Sequence, residues 1–328
     1  MPARIEVYAP DGIGEIKAGD DLATTVLEAL QASPEVGGLH DGDIVLVTSK
    51  VVSKAEGQLA HGDREDHITA ETTRLVARRG PTRIVRNRLG LTMAAAGVDA
   101  SNVSAGSVLL LPEDPDASAR AIRAEAAARF GTNLGVIITD TAGRAWREGQ
   151  TDMAIGAAGV RVLESFIGQV DQHGNELAVT APAVADEIAS AAELAQGKLH
   201  ARPCALVRGR SDLVLPPGMD GDGARALIRA EGGDLFGYGA REAVVRAVAG
   251  EPAAQPPFGA TTSAADLFDA LTRAGIDDVR LDGGRVRCPA ARRVEAAIVA
   301  FAYGWKVETI TSDGTPDGAD LRLLPLSP

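Results

Sequence analysis

The sequence is poor in the residues on which several classes of protein depend. Its 328 residues include two cysteines, Cys204 and Cys288, too few for a disulfide framework or a cysteine metal quartet. Aromatic residues make up 3% of the chain and the formal net charge is −12, so stacking platforms are scarce and the chain as a whole repels phosphate backbones. We therefore expect no nucleic-acid partner, and two buried or partly buried thiols.

Long apolar runs are also missing. No stretch approaches 18 uninterrupted apolar residues, and the first residues lack the apolar segment of a secretory signal. We expect no membrane insertion, no export and a cytoplasmic location. The length of the chain favours two or more structural units.

Four common site motifs are absent as well. Gly197-Lys198 is followed by Leu199 and has no upstream glycine, so there is no P-loop. Gly221-Asp222-Gly223 does not continue as a dinucleotide-binding glycine motif. The five histidines never recur at a spacing of four, and no serine-hydrolase elbow is present. A ligand would have to be held by another arrangement.

Apolar strand patterns alternate with helix patterns, which predicts an α/β (mixed α+β) fold. A proline-rich stretch at 250–262 predicts a linker between a domain at 1–249 and a small α+β domain of unknown function at 263–328. Strands are predicted at 43–48, 134–139, 205–207, 279–281, 285–288, 306–311 and 321–324, and helices at 116–129, 181–197, 264–274 and 290–303.

Four polar stretches could carry chemistry: 12–17, 48–57, 94–103 and 137–153. In the last, Asp140 and Thr141 end an apolar strand, and Arg144 and Arg147 follow. Hard oxygen ligands beside guanidinium groups suit Mg²⁺ or Mn²⁺ and a polyphosphate. The alternatives are tight turns and solvated charges, and they stay open for each stretch taken alone.

Together these stretches resemble a known family. The sequence is similar to the coenzyme F420-0:L-glutamate ligases, GTP-dependent enzymes that attach γ-linked glutamate to the deazaflavin cofactor F420. The similarity spans about residues 5–248, with an alanine at Ala95 or Ala96 where relatives often have a polar residue. It is carried by GEIKAGDDL, VVSKAEG, AAAGVDASNV, VLLLPEDPDASA, TDTAGRAWREGQTDMAIG and ALVRG.

The resemblance implies a set of ligand-binding residues and the fold of that family. Asp99, Asp140 and Thr141 would hold two divalent ions, Mg²⁺ or Mn²⁺, with Asp220 or Asp222 as one more ligand and K⁺ as a further candidate cation. Arg144 and Arg147 are our own candidates for catalytic stabilisation. The residues implied to bind GTP are Ile13, Gly14, Glu15, Ile16, Ser49, Lys50, Lys54, Asn102, Met219, Asp220, Gly221, Asp222, Gly223, Ala224, Arg225 and Ala226.

The implied activity is GTP-dependent ligation of L-glutamate to F420-0, or to its dehydro form, through an acyl phosphate. The resemblance also implies a homodimer. A non-catalytic GTP sensor and a metal-dependent phosphohydrolase are the competing interpretations. FMN is not expected, because roughly 70 residues after the linker are too few for a flavin-binding nitroreductase domain.

Overall fold

The computed structural model describes residues 4–101, 104, 106–309 and 320–326, and its chain divides into two compact units. The first comprises Met1–Arg74 and Val85–Ile228, and the second Leu75–Ile84 and Arg229–Pro328. The division falls at Ile228 instead of in the expected linker at 250–262, which lies inside the second unit. Asn102 is outside the described residues.

The α/β prediction is confirmed, since helices and strands alternate along the first unit. Its helices are α1 Leu22–Ala32, α2 Ser49–Ala55, α3 Arg64–Glu71, α4 Pro115–Phe130 and α5 Val184–Gln196. Its strands are β1 Glu6–Tyr8, β2 Ile44–Thr48, β3 Leu59–His61, β6 Thr92–Ala94, β7 Ser107–Leu109, β8 Gly135–Arg144, β9 Arg147–Ala158 and β10 Cys204–Arg208. Along the chain, β4 Thr72–Arg79 passes from this unit into the second, and β5 Thr82–Asn87 passes from the second back into the first.

A five-stranded mixed sheet forms the centre of the first unit, in the order β1-β10-β2-β8-β9. β2 and β8 are parallel, with Thr48 opposite Thr139, and the other neighbours pair antiparallel. Consequently the carboxyl ends of β2 and β8 and the amino end of β10 share one edge. Smaller sheets pair β3 with β7 and β4, β5 and β6 in order.

Both faces of the central sheet are buried, so its inner strands are continuous apolar runs. Val136 and Ile138 of β8 pack into a cluster with α1 and α4, whereas Ile137 packs into a second cluster with α5. Cys204 of β10 belongs to the first cluster and is fully buried, and burial raises the pKa of its thiol to about 12. The thiol is therefore protonated and inert at neutral pH.

Several predicted element ends differ from the structure; the helix predicted at 181–197, for example, begins at Val184. Helix α4 begins at Pro115, directly after its N-cap Asp114, whose carboxylate accepts from Ala117 N, so the predicted start at Asp116 was late by one residue. β8 does not stop at Asp140-Thr141, as predicted, but continues to Arg144 and turns into β9. The cause is the partner strand: β9 pairs with β8 far beyond the apolar run.

The second unit contains a four-stranded antiparallel sheet in the order β11-β12-β14-β13 with two helices packed against one face. Leu267, Leu271, Val286 and Leu323 are among its most buried side chains. The proline-rich stretch is packed here too, because Phe258 lies against Tyr238 and Phe301. The elements are α6 Ala240–Ala249, α7 Ala264–Arg273, β11 Arg280–Asp282, β12 Arg285–Pro289, α8 Arg293–Ala302, β13 Trp305–Thr309 and β14 Asp320–Pro325.

Within the described ranges, no helix combines the length and apolar content required to cross a bilayer.

The packing of α4 on β9 gives a stability prediction. A Cβ at Gly156 would overlap the backbone carbonyl of Pro115, whereas a Cβ at Gly143, on the same hairpin, would meet no atom within 4 Å. Gly156→Ala should lower the free energy of unfolding by about 1–3 kcal/mol because α4 must move away. Gly143→Ala should change it by less than about 0.5 kcal/mol. Urea unfolding followed by circular dichroism measures both, and equal stability of the two variants would contradict this packing.

Candidate functional site

A cleft of about 630 Å³ opens at the sheet edge where β2 and β8 end and β10 begins. Its size is within the range of small-molecule sites. It is lined by Ile13, Gly14, Glu15, Ile16, Thr48, Ser49, Lys50, Val51, Lys54, Ser101, Leu109, Thr139, Asp140, Thr141, Asp152, Glu193, Gln196, Gly197, Lys198, Leu199, Ala201, Arg202 and Pro203.

The first wall of the cleft is the segment 13–16 together with the start of α2. Because α2 begins directly after β2, Ser49, Lys50 and Lys54 all reach the cleft. Lys54 forms an ion pair with Glu15 at 3.2 Å, which joins the two segments. The structure therefore brings together seven residues that the resemblance assigns to the nucleotide.

Asp140 faces this wall from β8. The Ser49 hydroxyl donates a 2.9 Å hydrogen bond to Asp140 Oδ1, linking chain positions 91 residues apart. Burial raises the pKa of Asp140 to about 6, assisted by the charge of Asp152 and opposed by the hydrogen bonds from Ser49 and Thr141. A partly buried carboxylate with so little compensation favours a cation beside it.

Asp99 reaches the same region from a different segment. Its backbone pairs with Leu109, and its carboxylate forms a 2.5 Å ion pair with Lys50. Burial would raise the pKa of Asp99, but hydrogen bonds from Lys50 and Ser101 outweigh it and hold that pKa below its ordinary value. Asp99, Asp140, Ser49 and Lys50 line one small recess beside the cleft.

The second wall of the cleft is formed by the end of α5 and the loop after it, and hydrogen bonds hold α5 against β9. Ser190 Oγ donates to the carbonyl of Asp152 at 2.9 Å, and Asp186 accepts from Ala154 N at 2.8 Å. Glu193 lies one turn beyond Ser190 on the same helix face, so it too reaches the cleft near Asp152. The helix then ends at Gly197, and residues 197–203 complete the wall before β10.

Lys198 connects the second wall to β8 and β9. Its ammonium donates to Thr141 Oγ1 at 2.7 Å, pairs with Glu193 at 2.5 Å and lies 3.5 Å from Asp152 Oδ1. Burial opposes the charge, but Glu193 and Asp152 together raise the pKa of Lys198. Thr141 also donates to Asp152 Oδ1 at 2.7 Å. One ammonium is thus shared by two carboxylates.

Sequence reasoning missed this second wall. Asp152, Glu193, Lys198 and Arg202 were not among the predicted site residues, and Gly197-Lys198 was considered only as a failed P-loop. The useful signal was topological. Because β10 runs antiparallel to β2, the loop at 197–203 that precedes β10 must end at the same edge of the sheet as Asp140. The strand direction is not readable from composition.

Two predicted groups are not brought to the cleft. Arg144 and Arg147 lie exposed near the turn between β8 and β9, where Arg144 donates to the carbonyl of Glu148. The stretch 219–226 lies by the amino end of β8: Asp220 binds Arg123, and its carbonyl accepts from Gly159 N. Asp222 is exposed. Neither group lines the cleft, and their roles remain predictions.

The oxygen donors of the cleft suit a divalent ion that is shared with a ligand. No group of three or more His, Cys, Asp and Glu side chains in the described ranges could hold a metal by itself. Mg²⁺, however, is usually bound by one or two carboxylates together with substrate phosphates and water. Asp140 and Asp99 provide such a pair, and the raised pKa of Asp140 marks a carboxylate short of positive charge. The residues present therefore fit a shared metal and phosphate site.

These features describe a cleft at the edge of an α/β sheet, with lysines and a serine on one wall and carboxylates opposite. The family model for F420-0:gamma-glutamyl ligase matches residues 12–66 and 63–209. The chain belongs to this family, which confirms the resemblance inferred from the sequence.

Named relatives agree with the family model. A coenzyme F420:L-glutamate ligase of Archaeoglobus fulgidus is 38% identical over 226 residues, 63% of this chain and 88% of the relative. The coenzyme F420:L-glutamate ligase of Methanopyrus kandleri is 38% identical over 247 residues, which cover 68% of this chain and 93% of the relative. The coenzyme F420:L-glutamate ligase of Halobacterium salinarum is 36% identical over 257 residues, which cover 70% of this chain and 95% of the relative. The relatives are thus matched over most of their length.

The raised pKa of Asp140 gives a pH prediction for the metal-free protein. A carboxyl with a raised folded pKa stabilises the fold fully below the unfolded pKa, near 4, and loses that contribution as pH rises through about 6. Asp140→Asn, which cannot ionise, should therefore gain up to about 3 kcal/mol of unfolding free energy relative to wild type between pH 4 and pH 7.5.

Urea unfolding in EDTA at the two pH values measures this difference. The control is Asp66→Asn, the same substitution at an exposed position on α3. A difference for Asp140→Asn that does not depend on pH would contradict the assigned burial.

Proposed function

We propose that this protein is a GTP- and divalent-metal-dependent ligase that adds L-glutamate, γ-linked, to coenzyme F420-0 in F420 biosynthesis. Membership of the family supports a ligase role. The observation that carries the finer proposal is the meeting of Ser49, Lys50, Asp99 and Asp140, from three distant segments, at one recess of the cleft. We also expect a homodimer, as the resemblance implies, and a cytoplasmic location, as the sequence predicts.

The chemistry requires activation because a carboxylate is a poor electrophile. The carboxylate oxygen of F420-0 attacks the γ-phosphorus of GTP, the bond to the β–γ bridging oxygen breaks, and GDP leaves. The glutamate amine then attacks the acyl carbon, the carbon–oxygen bond to phosphate breaks, and inorganic phosphate leaves with the amide formed. The amine gives up its surplus protons to phosphate and solvent.

The residues of the first wall have distinct parts in this proposal. Lys50 and Lys54 place positive charge beside the phosphates, and the Ser49 hydroxyl donates either to Asp140 or to a phosphate oxygen. The backbone at Ile13–Ile16 closes the wall around the nucleotide. Their function is to bind and orient the transferring group, which is most of what phosphoryl transfer needs from a protein.

Asp99, Asp140 and Thr141 are the residues that would hold the divalent ions. When bound, such ions neutralise charge on the transferring phosphoryl group. In the structure Asp99 pairs with Lys50 and Thr141 accepts from Lys198, whereas Asp140 accepts from the Ser49 hydroxyl. This pairing keeps the donors in place between substrate encounters.

A phosphohydrolase and a non-catalytic sensor would use the same first wall. Only a ligase needs a site for an amine, and the second wall, with Glu193 and Asp152 facing the cleft, provides carboxylates for one. This observation favours ligation over both alternatives.

The test is product formation. We expect the purified full chain, with F420-0, GTP, Mn²⁺ and L-glutamate, to yield F420-0 carrying added glutamate by mass spectrometry, with GDP released only when F420-0 is present. Asp140→Asn should lower kcat/KM at least about a hundredfold, because a charge at the transferring group is lost. Asp66→Asn should keep wild-type activity. Phosphate release without any glutamylated product would instead identify a phosphohydrolase, and no turnover a sensor.

A further inference from the structure

The second wall of the cleft has a charge pattern unlike that of the first. On the first wall Lys50 and Lys54 each pair with a single carboxylate. On the second, the ammonium of Lys198 is shared by Glu193 at 2.5 Å and Asp152 at 3.5 Å. A triphosphate placed there would face two carboxylates, so this wall suits a ligand that carries positive charge as well as negative.

Glu193 is also placed against the local electrostatic preference of its helix. It lies in the last turn of α5, where the helix dipole is negative and a carboxylate is unfavourable. No basic residue of the last turn offsets it, and Lys198, beyond the helix end, supplies the opposing charge. Its side chain is only 22% exposed. Violations of local rules concentrate at functional sites.

We propose that Glu193 and Lys198 form the binding site for the α-amino acid acceptor, the L-glutamate of the proposed function on which this inference rests. Glu193 receives the ammonium group of the ligand, and Lys198 receives its α-carboxylate. The two side chains pair with each other before the ligand arrives and exchange partners when it binds. Each of the two side chains then has an opposite charge of the ligand as its partner, so neither is left desolvated and alone.

The position of the pair in the cleft agrees with this assignment. Lys198 donates to Thr141, the neighbour of Asp140, so the second wall adjoins the place where the phosphoryl group is proposed to be held. An amine bound at Glu193 therefore enters from the side opposite Lys50 and Lys54. Arg202 has no part in the proposal, because its guanidinium is held bidentately by Asp11.

Two variants and two ligand analogues test the assignment. Glu193→Gln and Lys198→Met should each raise the KM for L-glutamate about tenfold or more and change the KM for GTP less than about twofold. Glutarate lacks the ammonium group, so its inhibition constant should be unchanged in Glu193→Gln. 4-Aminobutyrate lacks the α-carboxylate, so its inhibition constant should be unchanged in Lys198→Met.

Matched controls separate these effects from altered folding. Glu187→Gln, exposed on the same helix, and Lys306→Met, exposed in the second unit, should behave as wild type. Glu193→Asp and Lys198→Arg keep the charges and should show smaller rises than the neutral variants. An unchanged KM for glutamate, or an equal rise in the KM for GTP, overturns the inference.

Calorimetric titration of L-glutamate into the full chain with a non-hydrolysable GTP analogue separates this inference from the proposed function. If wild type forms no glutamylated product but binds glutamate in a Glu193-dependent manner, the proposed function fails and the site stands. If wild type forms product and Glu193→Gln binds glutamate as tightly as wild type, only the site is wrong.

Discussion

The parallel pairing of β2 with β8 is the constraint on which the rest of the site depends. It sets Thr48 opposite Thr139, so the next residue of each strand, Ser49 and Asp140, emerges at one edge. Their 2.9 Å hydrogen bond is a direct consequence of this register. A slip by one residue would turn every side chain of β8 to the other face and separate the pair. Register, rather than the local sequence of either segment, builds the first wall.

The same sheet explains why charged groups are tolerated at its edge. Its two faces are closed by α1 and α4 on one side and α5 on the other, so the strand ends are where polar groups can meet water and ligand. At this edge Asp140 is partly buried, and the cost of removing its charged form from water raises its pKa to about 6. A bound cation that neutralises this carboxylate is therefore favoured, because it offsets the cost of burying the charge.

Much of the fold was readable from the sequence, and the failures have physical causes. Apolar period and caps predicted β2, α4 and β10 within a few residues, because burial and turn chemistry are local properties. The length of β8 was not predicted, since residues 141–144 are strand only through pairing with β9. The stretch 250–262 has a linker composition, yet Phe258 packs between Tyr238 and Phe301, a contact that depends on distant residues.

The residues of the candidate site were likewise only partly predictable from the sequence. Ser49, Lys50, Asp99 and Asp140 belong to recognisable motifs, so the first wall could be predicted; Glu193 and Lys198 belong to none. Their place follows from two steps: Ser190 fixes α5 to β9 beside Asp152, and the antiparallel entry of β10 returns the chain to the same edge. Because both steps are tertiary, the motifs alone do not reveal that Glu193 and Lys198 reach the cleft. In the proposed function, the distinction between a ligase and a phosphohydrolase thus lies in the wall that the motifs do not encode.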